Sequence, residues 1–200
     1  GQTELALRKP RSLDDYQTLL ASNVEEYQRL ARMIDNMLFL ARAEKPDAVL
    51  HREPIALHDA VAQLCDYFEG MAEERGITLL NETDGTLVAD PQLLRRALAN
   101  LIANALRYGN ADSPVRIKSK ITANQAEISV ANTGEPINPE HLPRLFDRFY
   151  RCNSARSQPG DSGGLGLAIV RSITQMHGGS VHVHSDSAET LFTLHFPVRD

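Results

Sequence analysis

Asp90–Tyr108 reads DPQLLRRALANLIANALRY, and the spacing inside it decides how the chain is read. Asp90-Pro91 is a helix start, because Asp can cap free amides and Pro is tolerated in a first turn. Leu94, Leu98, Leu101, Ile102 and Ala105 recur at helical spacing and make an apolar face. Arg96, Asn100, Asn104 and Arg107 fall four, four and three residues apart and make one polar stripe. Asn is a mediocre helix former, so two of them one turn apart call for a reason. An amide oxygen is a good neutral ligand for Mg²⁺, and basic residues beside it suit phosphates. A solvated polar face is the plainer alternative, and the helix alone does not separate the two.

Composition narrows the class. Two hundred residues accommodate one or two domains, and 42% apolar residues are enough for a real core. The net charge of −5, with no basic block, argues against nucleic acid as a partner. Cys65 and Cys152 stand far apart, which fits free thiols in a reducing compartment better than a disulfide framework. No apolar run approaches the roughly 20 residues that span a bilayer, and no signal peptide is visible, so the piece reads as cytosolic.

Outward from the central helix, the pattern is helical first. Gln2–Arg8 resembles the tail of a helix, Lys9-Pro10-Arg11 a turn, and Ser12 a cap for the next helix. Leu13, Tyr16, Leu20, Asn23, Tyr27, Leu30, Ile34, Met37 and Ala41 step by three and four without a break. That is a heptad seam with one polar member, as in a dimerising helical hairpin. The alternative is a helix lying on its own domain's core. Lys45-Pro46-Asp47 ends the helix and marks a boundary. Next come an edge strand near Arg52–Ile55 and a helix with Leu57, Val61, Leu64, Phe68 and Ala72 inward, closed near Gly76. Cys65 sits on that helix's apolar stripe and reads as a buried structural thiol.

Ile77–Asn81 and Thr86–Ala89 read as a strand pair turning at Asp84-Gly85. After the Asn-bearing helix, Val115–Ile121 and Ala126–Ala131 read as a hairpin turning at Asn124-Gln125. Ser180–Ser185 and Thr190–Val198 close the chain as another hairpin. The order predicts an α/β sandwich, a mixed sheet with helices on one face.

Three further stretches carry chemistry. In Asn132-Thr133-Gly134-Glu135-Pro136, just past a strand end, the Gly lets backbone approach a ligand and the short Asn can meet a flat heterocycle edge-on. Phe146-Asp147-Arg148-Phe149-Tyr150-Arg151 leads into a polar run to Ser162, the composition of a loop hinged on aromatic anchors; Arg148, Arg151 and Arg156 could reach phosphates. Cys152 opens this run and reads as exposed. Gly160-Asp161-Ser162-Gly163-Gly164-Leu165-Gly166 runs straight into a helix reaching about His177, and bare amides at a helix start suit an anion. It matches neither the GTPase phosphate loop nor the dinucleotide pattern, and a glycine-rich hinge is the alternative. His182, His184 and His195 lie on paired strands without a supporting carboxylate or Cys pattern, and a solvated sheet face is favoured over a metal site.

Taken together and in order, NLIANALRY, NTGEPI, LFDRFYR and GGLGLAIV resemble the Asn, first glycine, Phe and second glycine motifs of the sensor histidine kinases of two-component systems. MIDNMLFLARAE resembles the second helix of their dimerisation hairpin. LFDRFYR and NALRY are closest in wording to the branch that senses heavy metals such as copper, zinc or cadmium. The resemblance implies an α+β chain: residues 1–45 as part of a dimerisation and histidine-phosphotransfer hairpin, with its second helix at about 13–44, and residues 46–200 as an α/β sandwich ATP-binding domain of the histidine kinase, gyrase and chaperone type.

The resemblance also implies roles and partners. Asn104 would coordinate Mg²⁺, with Asn100 on the same face. Arg107 stands where most members carry Lys and would meet phosphate oxygens, and Tyr108 would flank the nucleotide. Asn132 replaces the usual Asp that accepts from the adenine amino group; its amide oxygen still accepts but loses the charge assistance. Gly134 would shape the adenine pocket, Phe149 would anchor the lid, Arg151 would approach phosphates, and Gly164, Leu165 and Gly166 would present amides. ATP and Mg²⁺ are the implied cofactors. A homodimer through the hairpin and a response regulator receiver domain, docked near Tyr16–Tyr27, are the implied partners. The parent would be an inner-membrane protein and this piece its cytoplasmic portion. None of the seven His stands in the family's acceptor context, a His followed by an acidic residue and Thr-Pro. The piece is therefore expected to bind Mg-ATP without phosphorylating itself. Two rivals remain: another ATPase of the same superfamily, and a non-enzymatic nucleotide-sensing dimerisation scaffold.

Overall fold

The computed structural model describes residues 12–43, 49–152 and 163–198. The helix tail and turn expected over Gln2–Arg11, the boundary at Lys45–Asp47 and the polar run from residue 153 to Ser162, Arg156 included, lie outside the described residues.

Helix α1, Leu13–Ala43, opens on a reciprocal cap: the Asp15 amide donates to Ser12 Oγ at 3.2 Å, and the Ser12 amide donates to Asp15 Oδ2 at 3.2 Å. Its apolar seam points outward. Leu20, Tyr27 and Ile34 are 62%, 68% and 56% exposed, and Leu40, off the seam, is the helix's one buried side chain. Met33 and Phe39, also off the seam, pack against the core. The alternative of a seam lying on the chain's own core is not met: the C-terminal half of α1 lies on the body of the chain with a different stripe, and the heptad seam faces outward.

β1 (Glu53–Ala56) leads into α2 (Leu57–Glu73), which buries Leu57, Val61, Leu64, Phe68 and Ala72. The helix closes around Gly76 at φ +64°, where the Gly76 amide donates to Glu73 O and the Ile77 amide to Ala72 O. Cys65 is half-buried rather than buried, and burial together with neighbouring Asp66 pushes its thiol pKa up.

β2 (Thr78–Glu82) and β3 (Thr86–Ala89) are not a pair. β3 runs antiparallel to β1 in a sheet of two, whereas β2 runs parallel to β4 (Pro114–Ile121) in a sheet of five. Asp84-Gly85 turns the chain between sheets. Leu87 and Ala89 are buried on one face of β3, and both strands satisfy their alternation with other partners. The larger sheet has the order β2-β4-β5-β7-β6, with β5 at Gln125–Asn132, β6 at Ser180–Ser185 and β7 at Thr190–Pro197. Every pairing after β2–β4 is antiparallel, so the sheet is mixed as expected. The β4–β5 hairpin turns at 122–124, one residue earlier than the sequence suggests, since Gln125 already pairs with Pro197.

Helix α3, Pro91–Tyr108, and helix α4, Gly166–Met176, cover the sheet. Leu98, Leu101, Ile102 and Ile169 lie fully buried with Ile117, Ile128 and Leu194 of the strands in one core. Burying an aliphatic side chain contributes roughly 1.5–3 kcal/mol, so these helices are held mainly by packing. The architecture is an α+β sandwich with one long helix on its flank.

Candidate functional site

Asp90 starts α3 as its composition implied: Oδ1 accepts from the Gln92 and Leu93 amides, each at 3.1 Å, with Pro91 at the first position. The start is anchored further. The Asp90 amide donates to His177 Nε2 at 3.0 Å, and the imidazole's other nitrogen donates to Ile173 O at 2.8 Å. His177 is 2% exposed, and burial pulls its pKa below the ordinary histidine value. The neutral ring thus ties the end of α4 to the start of α3.

The polar stripe divides along its length. Arg96 is engaged by α1: its guanidinium stacks 4.2 Å over the Phe39 ring and donates to Asn36 Oδ1 at 2.8 Å, joining α1 to α3. Asn100 Nδ2 donates to Arg96 O at 2.8 Å, which leaves its oxygen outward. Asn104 is half-buried, and its amide has no partner among the described residues. Arg107 is half-buried and Tyr108 exposed at the helix exit.

The exit of α3 meets the end of β5. Gly109 and Gly134 form an antiparallel bridge, and the Asn110 amide donates to Thr133 O at 2.9 Å. A Cβ on Gly134 would lie 2.5 Å from Tyr108 O, so only glycine permits this approach. Asn132 is 5% exposed, and its Nδ2 donates to Thr133 O at 3.2 Å. That bond turns the amide so that the oxygen is presented as an acceptor. Thr133 Oγ1 is enclosed with no partner.

A second rim is formed by the Phe motif and the glycine turn. Phe149, half exposed, has φ +63°, a conformation an aromatic residue adopts only when its surroundings impose it. Its amide donates to Gly164 O at 3.0 Å, and a Cβ on Gly164 would lie 2.9 Å from the Phe149 carbonyl carbon. Leu165 is buried as the residue before α4, and Gly166 is its first residue. Tyr150 is fixed by His141, whose Nδ1 lies 2.7 Å from the phenol oxygen, and by the Arg144 guanidinium 4.4 Å from the ring. Arg151 is half-buried. Cys152 is exposed, and partial burial of the thiol raises its pKa.

Other candidates separate from these rims. His182 and His195 stack edge to face at 5.1 Å on the outer sheet face, while His184 bonds Asp186 at 3.1 Å. Among the described residues no group of three metal-ligating side chains is gathered. A cleft of about 300 Å³ between α1 and α4 is lined by Leu40, Arg148, Arg171 and Met176; neither amide of the α3 stripe nor the Asn132–Gly134 strand end reaches it.

The donor set fits a purine nucleotide with a hydrated cation. The Asn104 amide and the Asn132 oxygen are unpartnered, and the enclosed Thr133 hydroxyl is a buried polar group left without a bond, which costs about 1–3 kcal/mol. Sequence reading quoted Thr133 within the strand-end stretch and His177 as a helix end, but gave neither a role, and it did not find Gly109. Gly109 directly follows NALRY and could have been flagged by position; the His177 contact carries no local signal.

Comparisons with known proteins give the family and the fold. Residues 89–200 match the family described as histidine kinase-, DNA gyrase B-, and HSP90-like ATPase. Over 197 residues the chain is 44% identical to the sensor histidine kinase CusS of Escherichia coli strain K12, covering 98% of this chain and 41% of that protein. It is 41% identical over 199 residues to the sensor protein CzcS of Cupriavidus metallidurans, covering 99% and 42%. The solved structure of the Acinetobacter baumannii histidine kinase AdeS superposes with a TM-score of 0.80 at 20% identity, covering 96% of this chain and 87% of that one, a likeness of fold. The chain spans about two-fifths of the length of these curated relatives.

Proposed function

The chain belongs to the histidine kinase-, DNA gyrase B- and HSP90-like ATPase family, on its sensor histidine kinase branch, and from that premise we propose that it forms the ATP-binding catalytic portion of such a kinase, with residues 46–200 as the nucleotide domain. The observation that carries the reading is the junction of α3 with the end of β5. It sets the unpartnered Asn104 amide and the open oxygen of Asn132 on elements joined by the Gly109–Gly134 bridge.

In this reading Asn132 accepts from the adenine amino group, and Thr133 O holds the amide in the accepting orientation. Gly134 keeps the pocket floor close to α3, and Tyr108 flanks the base. Asn104 holds Mg²⁺, with the Asn100 oxygen on the same face. Bound Mg²⁺ neutralises charge on the phosphate oxygens and orients them. Arg107 and Arg151 approach those oxygens, and the backbone around Gly164, Leu165 and Gly166 faces them at the start of α4. Phe149 anchors the second rim. The protein's share in phosphoryl transfer is positioning and charge stabilisation. The acceptor is a His imidazole in a context that none of the seven His here provides, so these residues alone do not label themselves. From that His the phosphoryl group passes to an Asp of a response regulator.

The exposed seam of α1 supports a homodimer through a helical hairpin, and the surface near Tyr16–Tyr27 a receiver contact. The wording of LFDRFYR and NALRY supports metal-ion-responsive signalling. No helix among the described residues is long and apolar enough to cross a membrane. The reading places this chain on the cytoplasmic side of a membrane-anchored parent.

The test is calorimetric titration of a non-hydrolysable ATP analogue into the chain, with and without Mg²⁺, beside Asn104→Ala. The expected result is binding that requires Mg²⁺ and is lost in the variant. Equal binding by Asn104→Ala, or none by the native chain, would overturn the assignment.

A further inference from the structure

Arg75 lies in the turn between α2 and β2, on neither rim of the site. Its guanidinium donates to three main-chain carbonyls at the exit of α3: Leu106, Arg107 at 2.6 Å, and Gly109 at 2.9 Å. These oxygens belong to the last turn of the helix and the residue beyond it, where carbonyls lack helical partners and a cation is favoured. The contact is returned by the backbone, since the Asp112 amide donates to Arg75 O at 3.4 Å. At Gly76 a Cβ would lie 2.2 Å from Asp112 Oδ1, so the turn and the loop after α3 are pressed together.

The same stretch is gripped from its other side. Gly109 bridges Gly134, the Asn110 amide donates to Thr133 O, and Tyr108 O fills the space where Gly134 would carry a Cβ. The exit of α3 is thus held between Arg75 and the strand end that carries Asn132. Asn104, Arg107 and Tyr108 sit on the final turn whose carbonyls Arg75 binds. Any drift of that turn changes the separation between the Asn104 and Asn132 amides.

We propose that Arg75 is a positioning residue of the nucleotide site: it acts through the Leu106–Gly109 carbonyls to fix the Asn-bearing helix against the Asn132–Gly134 strand end, without touching the ligand. This rests on the nucleotide reading above. A planar fork with five donors can serve three carbonyls at once; a lysine ammonium carries three donors on one atom and cannot span the same set. Lys is therefore a partial replacement and Ala none.

The experiment compares the native chain with Arg75→Lys and Arg75→Ala by two readouts. The first is calorimetry with a Mg²⁺-bound non-hydrolysable ATP analogue, at a temperature where circular dichroism shows each variant folded. The second is the amide resonances of Gly109, Asn110 and Gly134 in the ligand-free chain. The expected result is affinity weakened about tenfold in Arg75→Ala and about threefold in Arg75→Lys, with the Gly134 resonance moving in both. A lower melting temperature with unchanged affinity and an unmoved Gly134 resonance overturns the proposal and leaves Arg75 a stabilising residue only. Should Arg75→Ala not fold, Arg75→Lys decides by the same two criteria. If the native chain binds no nucleotide, the functional reading and this site role fall together, and the Gly134 resonance then reports whether the mechanical tie alone is real.

Discussion

Helices α1 and α3 both carry apolar residues at regular helical spacing, and they end in opposite situations. α3 buries seven of its eighteen residues, among them Leu98, Leu101 and Ile102, and leaves its amide stripe off the core. α1 is 31 residues long and buries Leu40 alone. Its heptad seam faces outward, and a stripe containing Met33 and Phe39 takes the inner side. Periodicity thus identifies a face that gains by being covered. It does not say whether the cover comes from the same chain, because the apolar transfer free energy is the same for either partner. The core of the sandwich supplies the cover for α3, and the proposed second copy supplies it for α1.

The largest effect expected from breaking this contrast is in α3. Leu101→Ala removes a fully buried side chain and is expected to cost about 2–5 kcal/mol in urea unfolding. A cost under about 1 kcal/mol would mean that the core can collapse around the gap and that α3 is less committed than it looks.

A smaller effect is expected where α3 is tied to α4. His177→Leu leaves the buried Asp90 amide without its acceptor and should cost about 1–3 kcal/mol. In the native chain the ring's folded pKa is depressed, chiefly by burial and further by Arg52, while Asp90 and the Ile173 carbonyl oppose the shift. The unfolded chain therefore binds the proton more readily. This contribution is complete above an unfolded pKa of about 6.5 and is lost as pH falls through the folded value. Subtracting the stability curve of His177→Leu from that of the native chain between pH 8 and 5 isolates it. A flat difference would show that the imidazole does not titrate with folding.

The smallest effect on stability is expected in the α1 seam. Ile34→Asp should change the unfolding free energy of dilute chain by less than about 0.5 kcal/mol, because the side chain touches little. The same variant should shift sedimentation toward monomer. A large loss of monomer stability with no change in association would mean that the seam is covered within one chain.

The caps and periods of both helices were legible because they are local. Ser12 and Asp15, or Asp90 and the amides of Gln92 and Leu93, lie within one turn, and no distant partner is needed to form those bonds. The Asn stripe, the Asn132–Gly134 strand end and the glycines before α4 stood out as candidates for a similar reason: residue type and spacing are local. Three readings met competition from across the fold. Arg96, read beside the amides, stacks on Phe39, 57 positions away in the chain, since burying its guanidinium needs both a π face and the Asn36 oxygen. β2 and β3, read as neighbours, joined different sheets because short alternating strands accept several partners. Cys65, read as buried, sits at the edge of its stripe.

By itself the sequence determined the caps that start α1 and α3, which faces are apolar, and which short stretches are proposed to bear nucleotide chemistry; each arises from interactions within a few residues. The tertiary structure alone decided that Arg75 grips the exit of α3, that His177 accepts from Asp90, and that Gly109 meets Gly134. These are single contacts between residues 25 to 87 positions apart. No local propensity encodes them, and they form only when the packing of the whole sandwich brings one polar group within reach of another.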